Sequence, residues 1–339
     1  MMDNAPQGGH LRIVGAFAGI GSGLTKVAVG HGSNRLVTPI SLTSSTWERR
    51  FDTIKTRMQC APPGTYHGAI DVLKKVVRNE GALALYKGAT PPAVGWAAID
   101  SLLLGSLHNY RLFLHRYGMT ESTPGSGVPR LTLMAHGVAG LFAGWTSTLI
   151  ATPIELLKVK LQLQSQRSVS DRQFKGPIDC ARQIIRAQGI LGLWSGFTGS
   201  LAFRSNFFWM FLSFEALMRG FSRLAGTPFE ISTGLANFIS GGLGAFAFWG
   251  MAIPADNVKN RMMSYPYPLP YPQPSASKQV TISRPSFIST ARHIYSSNGI
   301  AGFFRGLGPC LLRAFPVNAC AFFVYEGTMR LLGAEKTRH

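Results

Sequence analysis

Long apolar stretches alternate with polar, basic segments along the chain. Residues 131–154 and 231–255 contain no Asp, Glu, Lys or Arg, and about 20 apolar residues are enough for a helix to cross a bilayer. Four further stretches are shorter or contain an ionisable residue: 15–25, 89–107, 201–217 and 307–325. Such interruptions are expected where one helix face meets lipid and another meets a wet cavity. The pattern predicts a helical membrane protein.

A charged motif closes three of these stretches at a regular interval. It reads Pro-x-acid-x-x-Lys at 153–158 and 254–259, and it recurs without its proline at 51–55. The three acids, Asp52, Glu155 and Asp256, are 103 and 101 residues apart, so internal repetition is the first interpretation. Because proline removes a backbone donor, we expect the spanning helix to end and kink at Pro153 and at Pro254.

A second motif follows each copy of the first. An acid or amide precedes a glycine, and an aromatic residue and a closing glycine follow; the three copies run 80–88, 188–196 and 298–306. A short amphipathic helix is predicted in the polar segment ahead of each copy. Two motifs in the same order three times over predict one body made of three modules, 1–128, 129–226 and 227–339.

Two segments break the regular order. Residues 32–49 intervene where the first helix should run directly into its proline, and Arg50 occupies the proline position. One interpretation is an unspliced intron or a gene-model error, because interrupting a membrane helix leaves backbone groups unsatisfied. The other is a real loop, and sequencing transcripts across codons 28 to 55 would separate the two. The second segment, 265–277, is rich in proline and tyrosine and is interpreted as a polyproline II-like loop.

The composition narrows the function classes. Charged residues make up 14% of the chain and the mean hydropathy is +0.12, which disfavours a water-soluble globular protein. A net charge of +19 suits nucleic acid, anionic lipid or an anionic solute, but no nucleic-acid-binding motif is visible. The eight histidines and four cysteines show no metal-ligand or disulfide spacing. No enzyme constellation, metal site or nucleic-acid partner is therefore predicted.

Both motifs resemble those of the mitochondrial carrier family, over nearly all of the chain. The resemblance implies an all-α membrane protein with six transmembrane helices in three pseudo-threefold repeats, each with a short matrix-side amphipathic helix. It also implies a monomeric, multi-pass carrier of the mitochondrial inner membrane that exchanges a small molecule by alternating access. No cofactor is expected, and cardiolipin-type lipid would bind near the matrix-side glycine motifs.

In that family the acid of one repeat pairs with the lysine of the next, which closes a ring at the matrix side. Carried over to this chain, the pairs are Asp52 with Lys158, Glu155 with Lys259, and Asp256 with Lys55. Gln59 and Gln162 occupy the position of a glutamine that braces an ion pair in the family, whereas the third repeat has Met263. The alternative is an ordinary pair between acid and lysine within each helix.

The opposite, cytoplasmic gate is predicted to be weak. Glu215 and Glu326 keep the acid of the family pattern, but a methionine replaces the lysine three residues later in each case. Leu107-His108 replaces the first aromatic-acid pair altogether. Arg219 stands one residue too late, which is about 100° round a helix, so it is not expected to replace the missing lysine.

Three ionisable residues fall midway along predicted spans and are therefore candidates for contact with a solute: Asp100, Arg204 and Arg313. Arg204 and Arg313 lie eight and seven residues after the closing glycines of their repeats, which places them in one layer. One acid and two guanidinium groups suit a zwitterion, with Asp100 binding its cation and an arginine binding its carboxylate. The alternative is a structural pair between Asp100 and an arginine of a neighbouring helix.

Short segments resemble the branch of the family that moves carnitine, acylcarnitines and basic amino acids. They are Gly30-His31, the motif at 51–59, the helix-two segment at 95–105 and the run at 313–319, whereas helix four departs from the pattern at 204–208. The resemblance implies a carrier of a small zwitterionic or cationic metabolite, such as a basic amino acid or an acylcarnitine. A carboxylate carrier and a non-transporting adaptor on the same scaffold are the alternatives.

Overall fold

The computed structural model describes residues 52–61, 65–81, 90–123, 127–164, 172–265 and 285–311. The expectations for Arg313, Glu326, the segment 32–49 and the loop beyond Tyr265 lie outside these residues. Within them the chain is helical apart from turns and one short hairpin. The predicted all-α class is confirmed.

The described elements follow the threefold order of the motifs. The first repeat contains α1 (52–60), α2 (Ala69–Glu80), α3 (Thr90–Arg116) and strand β1 (Thr120–Ser122). Strand β2 (Pro129–Leu131) pairs antiparallel with β1 and leads into α4 (Leu133–Leu163), α5 (Pro177–Gln188), α6 (Phe197–Ser205) and α7 (Phe207–Ser222). The third repeat contains α8 (Thr233–Ser264), α9 (Phe287–Asn298) and α10 (307–311). Short 3₁₀ helices, Ile190–Trp194 and Ile300–Phe304, precede α6 and α10.

Helices α4 and α8 are both long and apolar enough to cross a membrane. Each begins at a hydroxyl cap: the Thr132 side chain accepts a hydrogen bond from the Ala135 amide, and the Ser232 side chain accepts one from the Leu235 amide. Such caps satisfy donors that a helix start leaves without partners. The caps therefore fix where the two spans start.

The two motif prolines lie inside continuous helices, so the prediction that the helices end there is wrong. Helix α4 continues from Pro153 to Leu163, and α8 continues from Pro254 to Ser264. A helical proline leaves the carbonyl four residues earlier without its usual donor. In α4 that carbonyl, of Leu149, accepts a hydrogen bond from Trp194 Nε1 at 3.0 Å. The aromatic residue of the second motif thus satisfies the group that the proline of the first motif leaves free.

The amphipathic helices α2, α5 and α9 pack in the same way in each repeat. Each presents an apolar face to the part of the spanning helix that carries the charged motif. The contacts join Val72 and Val76 with Ile54, Ile184 with Leu156, and Ile294 with Val258 and Met262. These small cores hold the charged segments of the three repeats in equivalent positions.

Glycines at i, i+4 spacing bring α4 close to the fourth spanning segment. A Cβ on Gly144 would lie 2.5 Å from the Arg204 carbonyl oxygen, and one on Gly140 would lie 2.8 Å from that of Phe207. The fourth segment is interrupted at Asn206, whose side-chain amide donates to the Ala202 carbonyl at 3.0 Å. The stretch predicted as one span, 201–217, is therefore two helices, α6 and α7, joined at an asparagine.

Candidate functional site

The structure brings each acid of the charged motif to the lysine that the repeat register assigns to it. Lys158 Nζ lies 2.5 Å from Asp52 Oδ2, Lys259 Nζ lies 3.1 Å from Glu155 Oε2, and Lys55 Nζ lies 2.8 Å from Asp256 Oδ2. Each contact joins two different repeats. The three pairs therefore tie α1, α4 and α8 together at one end of the bundle.

The pairs are shielded from solvent and partly connected. The Asp256 side chain is 2% exposed, and it also contacts Lys259 at 3.0 Å within α8. The intrahelical alternative thus occurs together with the inter-repeat pairs. Ion pairs at low exposure depend on every partner, because removal of one charge leaves the other buried and unpaired.

The two motif glutamines lie at the ring, and each bonds differently. Gln59 is fully buried, and its Nε2 donates to Asp256 Oδ2 at 3.0 Å. Gln162 accepts a hydrogen bond from the Thr56 hydroxyl at 2.9 Å. Gln59 is therefore in direct contact with an ion pair, while Gln162 joins α4 to α1 through a threonine.

Arg204 lies against the ring in this structure. Its Nη2 donates to Glu155 Oε1 at 2.9 Å and its Nη1 donates to the Ser147 hydroxyl at 3.0 Å. Glu155 consequently bonds two cations, Lys259 and Arg204. The sequence placed Arg204 in a separate solute-binding layer, because spacing along one helix does not show which neighbouring helix its long side chain meets.

Asp100 lies on α3 one turn after Trp96 and is partly exposed. Gly95, at the start of this turn, packs on the side chain of Ile154, the residue before Glu155. Five residues separate Gly95 from Asp100, which corresponds to about 7.5 Å along a helix. Asp100 is therefore close to the level of the ring along the bundle.

An aromatic ring lies near each of the three ring lysines. The ammonium groups of Lys55, Lys158 and Lys259 lie 4.4, 5.8 and 4.0 Å from the ring centroids of Trp249, Trp96 and Phe203, respectively. The attraction between a cation and an aromatic face strengthens away from water. Trp249, Trp96 and Phe203 thus form an aromatic layer beside the ammonium groups of the three ring lysines.

Sequence reasoning missed a second set of cations, five residues after the motif acids. Each donates to backbone carbonyl groups near the end of the next motif helix, where a helix has no donors of its own. The contacts are Arg57 to Gln162 and Gln164, Lys160 to Ser264 and Tyr265, and Arg261 to Gln59. The equal spacing of these three cations from the motif acids is the sequence signal that could have identified them.

In the first repeat the second cation also binds an acid of the second motif. Arg57 forms a two-bonded pair with the carboxylate of Glu80, the last residue of α2. The two side chains are 5% and 6% exposed. The residues equivalent to Glu80 in the other repeats are Gln188 and Asn298. Only the first repeat therefore has an acid at this position.

At the opposite end of the bundle, Arg219 takes part in contacts that the sequence did not predict. It donates to Glu215 at 2.9 Å one turn earlier in α7, and it also forms an ion pair with Glu121 on strand β1. Arg130 on β2 lies 3.0 Å from the same Glu121. The hairpin was missing from the predicted elements, so its acid could not be assigned as a partner.

The cysteines described by the structure are Cys60, Cys180 and Cys310, and all three are buried thiols outside any disulfide. Burial raises the pKa of Cys180 on α5 to about 12. The thiol is therefore protonated at neutral pH and a poor nucleophile.

Comparison with known proteins gives a family match over most of the chain. The sequence matches the family described as "Mitochondrial carrier protein" over residues 42–118, 129–224 and 232–336. It is 34% identical to the "Mitochondrial carnitine/acylcarnitine carrier-like protein" of Arabidopsis thaliana, covering 84% of this chain and 92% of that protein.

Two further relatives align over nearly the whole chain. The "Mitochondrial glycine transporter YMC1" of Saccharomyces cerevisiae is 29% identical, covering 98% of this chain and 96% of its own. The "Mitochondrial arginine transporter BAC1" of Arabidopsis thaliana is 26% identical, with 94% of both chains covered. The names agree on transport and differ in the transported solute.

Proposed function

Because the chain belongs to the mitochondrial carrier family, we propose that it exchanges a small zwitterionic or cationic metabolite across the mitochondrial inner membrane by alternating access. The chain is a multi-pass transporter of that membrane. The observation that carries the proposal is the set of three ion pairs between repeats. The proposed substrates are a basic amino acid or an acylcarnitine.

The three ion pairs have the properties that a reversible gate requires. They join α1, α4 and α8 pairwise, so their formation draws the three repeats together at one end of the bundle. Their separation breaks no covalent bond and no metal–ligand bond, and water that enters the site would weaken the attraction between the charges. We assign the matrix gate to these pairs, with Gln59 and Gln162 as supporting residues and with kinks at Pro153 and Pro254.

The substrate assignment rests on residues beside the gate. Asp100 supplies a carboxylate for a cation, and Arg204 supplies a guanidinium for a carboxylate. Arg204 bonds Glu155 in this structure, so a substrate carboxylate would compete with Glu155 for it. Such competition would link substrate binding to the opening of the gate.

The names of the relatives support a zwitterion. Carnitine, glycine and arginine, the solutes in those names, each carry a carboxylate and a cationic nitrogen. Arg313 would add a second guanidinium to the site. The weak cytoplasmic gate would retain Glu215 and Glu326, and Arg219 restrains Glu215 from the same helix.

A single chain contains all three repeats of the ring, so we propose a functional monomer. Cardiolipin-type lipid is proposed to bind near the matrix-side glycine motifs, and no cofactor is proposed. The test is exchange by the purified full-length protein in liposomes preloaded with amino acids, carnitines, nucleotides or carboxylates. Saturable exchange of amino acids or carnitines supports the proposal, whereas exchange of dicarboxylates alone or no exchange by inserted protein contradicts it.

The Asp100→Asn substitution is expected to separate substrates by their charge. For a substrate with an ammonium or guanidinium group, the variant loses a charged hydrogen bond of about 1.5 to 3 kcal/mol, so affinity should fall by roughly one to two decades. A quaternary ammonium would lose its attraction to the carboxylate, and its affinity should also fall. An anionic substrate would lose nothing. The measurement is the half-saturating substrate concentration for exchange, compared with the wild-type value.

The control for this prediction is Asp71→Asn, which removes a carboxylate that bonds Lys75 on the surface of α2, away from the spans. It should leave the half-saturating concentration unchanged. Wild-type affinity in the Asp100→Asn protein would reject the zwitterion and favour a carboxylate carrier.

A further inference from the structure

The matrix-side part of the third repeat carries cations without acids. Between Asp256 and Glu326 the sequence contains no Asp or Glu at all. The same stretch contains seven basic residues: Lys259, Arg261, Lys278, Arg284, Arg292, Arg305 and Arg313. Lys259 pairs with Glu155 and Asp256, but the half-buried Arg261 and Arg305 need a counter-charge that this part of the sequence does not supply.

Comparison of the repeats shows where a counter-charge is missing. Arg57 stands five residues after the acid of the first motif and pairs with Glu80, the residue before Gly81. In the third repeat, Arg261 stands at the same distance from Asp256, and Asn298 precedes Gly299. Because α9 packs on α8 as α2 packs on α1, Asn298 occupies the structural position of Glu80.

Donors around this position are buried and lack acceptors. Within the described residues, three nitrogen atoms without a hydrogen-bond partner are Arg261 Nη2, Asn298 Nδ2 and Arg305 Nη1. Arg261 bonds the Gln59 carbonyl through its Nε, and Arg305 bonds the Tyr66 carbonyl through its Nη2. Both guanidinium groups are therefore held in place, while one nitrogen of each has no acceptor. A buried donor without an acceptor lowers stability, so a ligand that accepts these hydrogen bonds would be favoured.

The charges of neighbouring residues also favour an anion at this site. Arg261 and Arg305 both contact Gln59, one through its carbonyl and the other through its side-chain amide, whereas in the first repeat a carboxylate faces Arg57. The Asn298 amide is neutral in either orientation of its oxygen and nitrogen, so it supplies no negative charge to the two cations.

We propose that the third repeat binds a phosphate-class anion against Arg261, Arg305 and Asn298, at the position that Glu80 fills in the first repeat. Guanidinium groups bind tetrahedral oxyanions through paired, charge-assisted hydrogen bonds. The proposed anion is inorganic phosphate, whereas lipid headgroups are the anions already proposed for the matrix-side glycine motifs. The site is formed by side chains at the C-terminal end of α9. The proposal does not depend on which substrate the protein transports.

The test is the thermal stability of the purified full-length protein in uncharged detergent. Sodium phosphate is titrated against sodium chloride at equal ionic strength and fixed pH, which separates binding from screening. Wild-type protein should show a saturable rise in Tm of roughly 2 to 4 °C. Asn298→Asp supplies the missing carboxylate, so its Tm should be higher without phosphate and should not respond to it.

Arg292→Ala is the matched control, because it removes an exposed cation from the same helix. It should respond to phosphate as the wild type does. A second titration replaces phosphate with micelles containing phosphatidylglycerol, compared with phosphatidylcholine alone. A rise given by phosphate and absent from the Asn298→Asp protein supports the proposal. A rise given only by phosphatidylglycerol contradicts it, because lipid is expected near the glycine motifs whether or not this site exists.

Equal responses of wild-type and Asn298→Asp proteins would overturn the proposal, as would wild-type protein that responds to neither ligand. Arg305→Gln provides a second test of the proposal if the Asn298→Asp protein does not fold. It removes one guanidinium and should raise the half-saturating concentration of the ligand about tenfold, as expected for loss of a charged hydrogen bond. An unchanged concentration would exclude Arg305 from the site and contradict the assignment.

Discussion

Replacement of Glu155 by lysine is expected to abolish transport and to lower stability strongly. Glu155 lies 3.1 Å from Lys259 Nζ and 2.9 Å from Arg204 Nη2, so the new side chain would place three cations together. Breaking a buried ion pair costs about 3 to 5 kcal/mol, and charge reversal adds repulsion. The measurements are the rate of exchange in liposomes and the Tm of the purified protein.

Glu155→Gln is the graded control for this prediction. It keeps the shape of the side chain and can accept a hydrogen bond, but it loses the charge, so its defects should be smaller than those of the lysine variant. Protein insertion must be verified for both. Exchange at the wild-type rate by an inserted Glu155→Lys protein would show that Glu155 is not part of a gate.

Replacement of Arg57 by methionine should cause the second large loss, and this loss is in folding. Arg57 is 5% exposed and bonds the Glu80 carboxylate together with two carbonyl groups at the end of α4. Without it, the buried Glu80 carboxylate loses its two-bonded cationic partner, so the free energy of unfolding should fall by about 3 to 5 kcal/mol. Thermal unfolding in detergent with chloride as the anion measures the effect.

Arg261→Met is the matched control, since Arg261 occupies the equivalent position in the third repeat. Within the described residues its side chain makes one hydrogen bond, to the Gln59 carbonyl, and has no carboxylate partner, so about 0.5 to 1.5 kcal/mol should be lost. Equal destabilisation by the two substitutions would contradict the importance assigned to the Arg57–Glu80 pair.

The repeated motif and its resemblance to the mitochondrial carrier family were sufficient to predict the fold class and the three ring pairs. The charged motif recurs at nearly equal intervals, so three acids and three lysines must lie at equivalent places around a common axis. Once the repeats surround that axis, the acid of one and the lysine of the next are neighbours. The contact between Lys158 and Asp52, 106 residues apart in sequence, follows from that symmetry.

Departures from the threefold order were harder to predict. Arg204 bonds Glu155, and Trp194 bonds the carbonyl freed by Pro153, because particular helices approach each other closely. Neither partner is visible in residue spacing along one chain segment. The Glu121 contact of Arg219 depends on a hairpin of two three-residue strands, which is too short to give a pattern in the sequence.

Charge exchange between Asp52 and Lys158 tests the central claim most directly. This pair is preferred to Glu155 and Lys259, because a lysine at position 155 would still face Arg204. Exchange in liposomes is measured for Asp52→Lys, Lys158→Asp and the double variant, each shown to be inserted. The account predicts that both single variants are inactive and that the double variant recovers activity. A double variant no more active than either single variant would contradict a gate made of ion pairs between repeats.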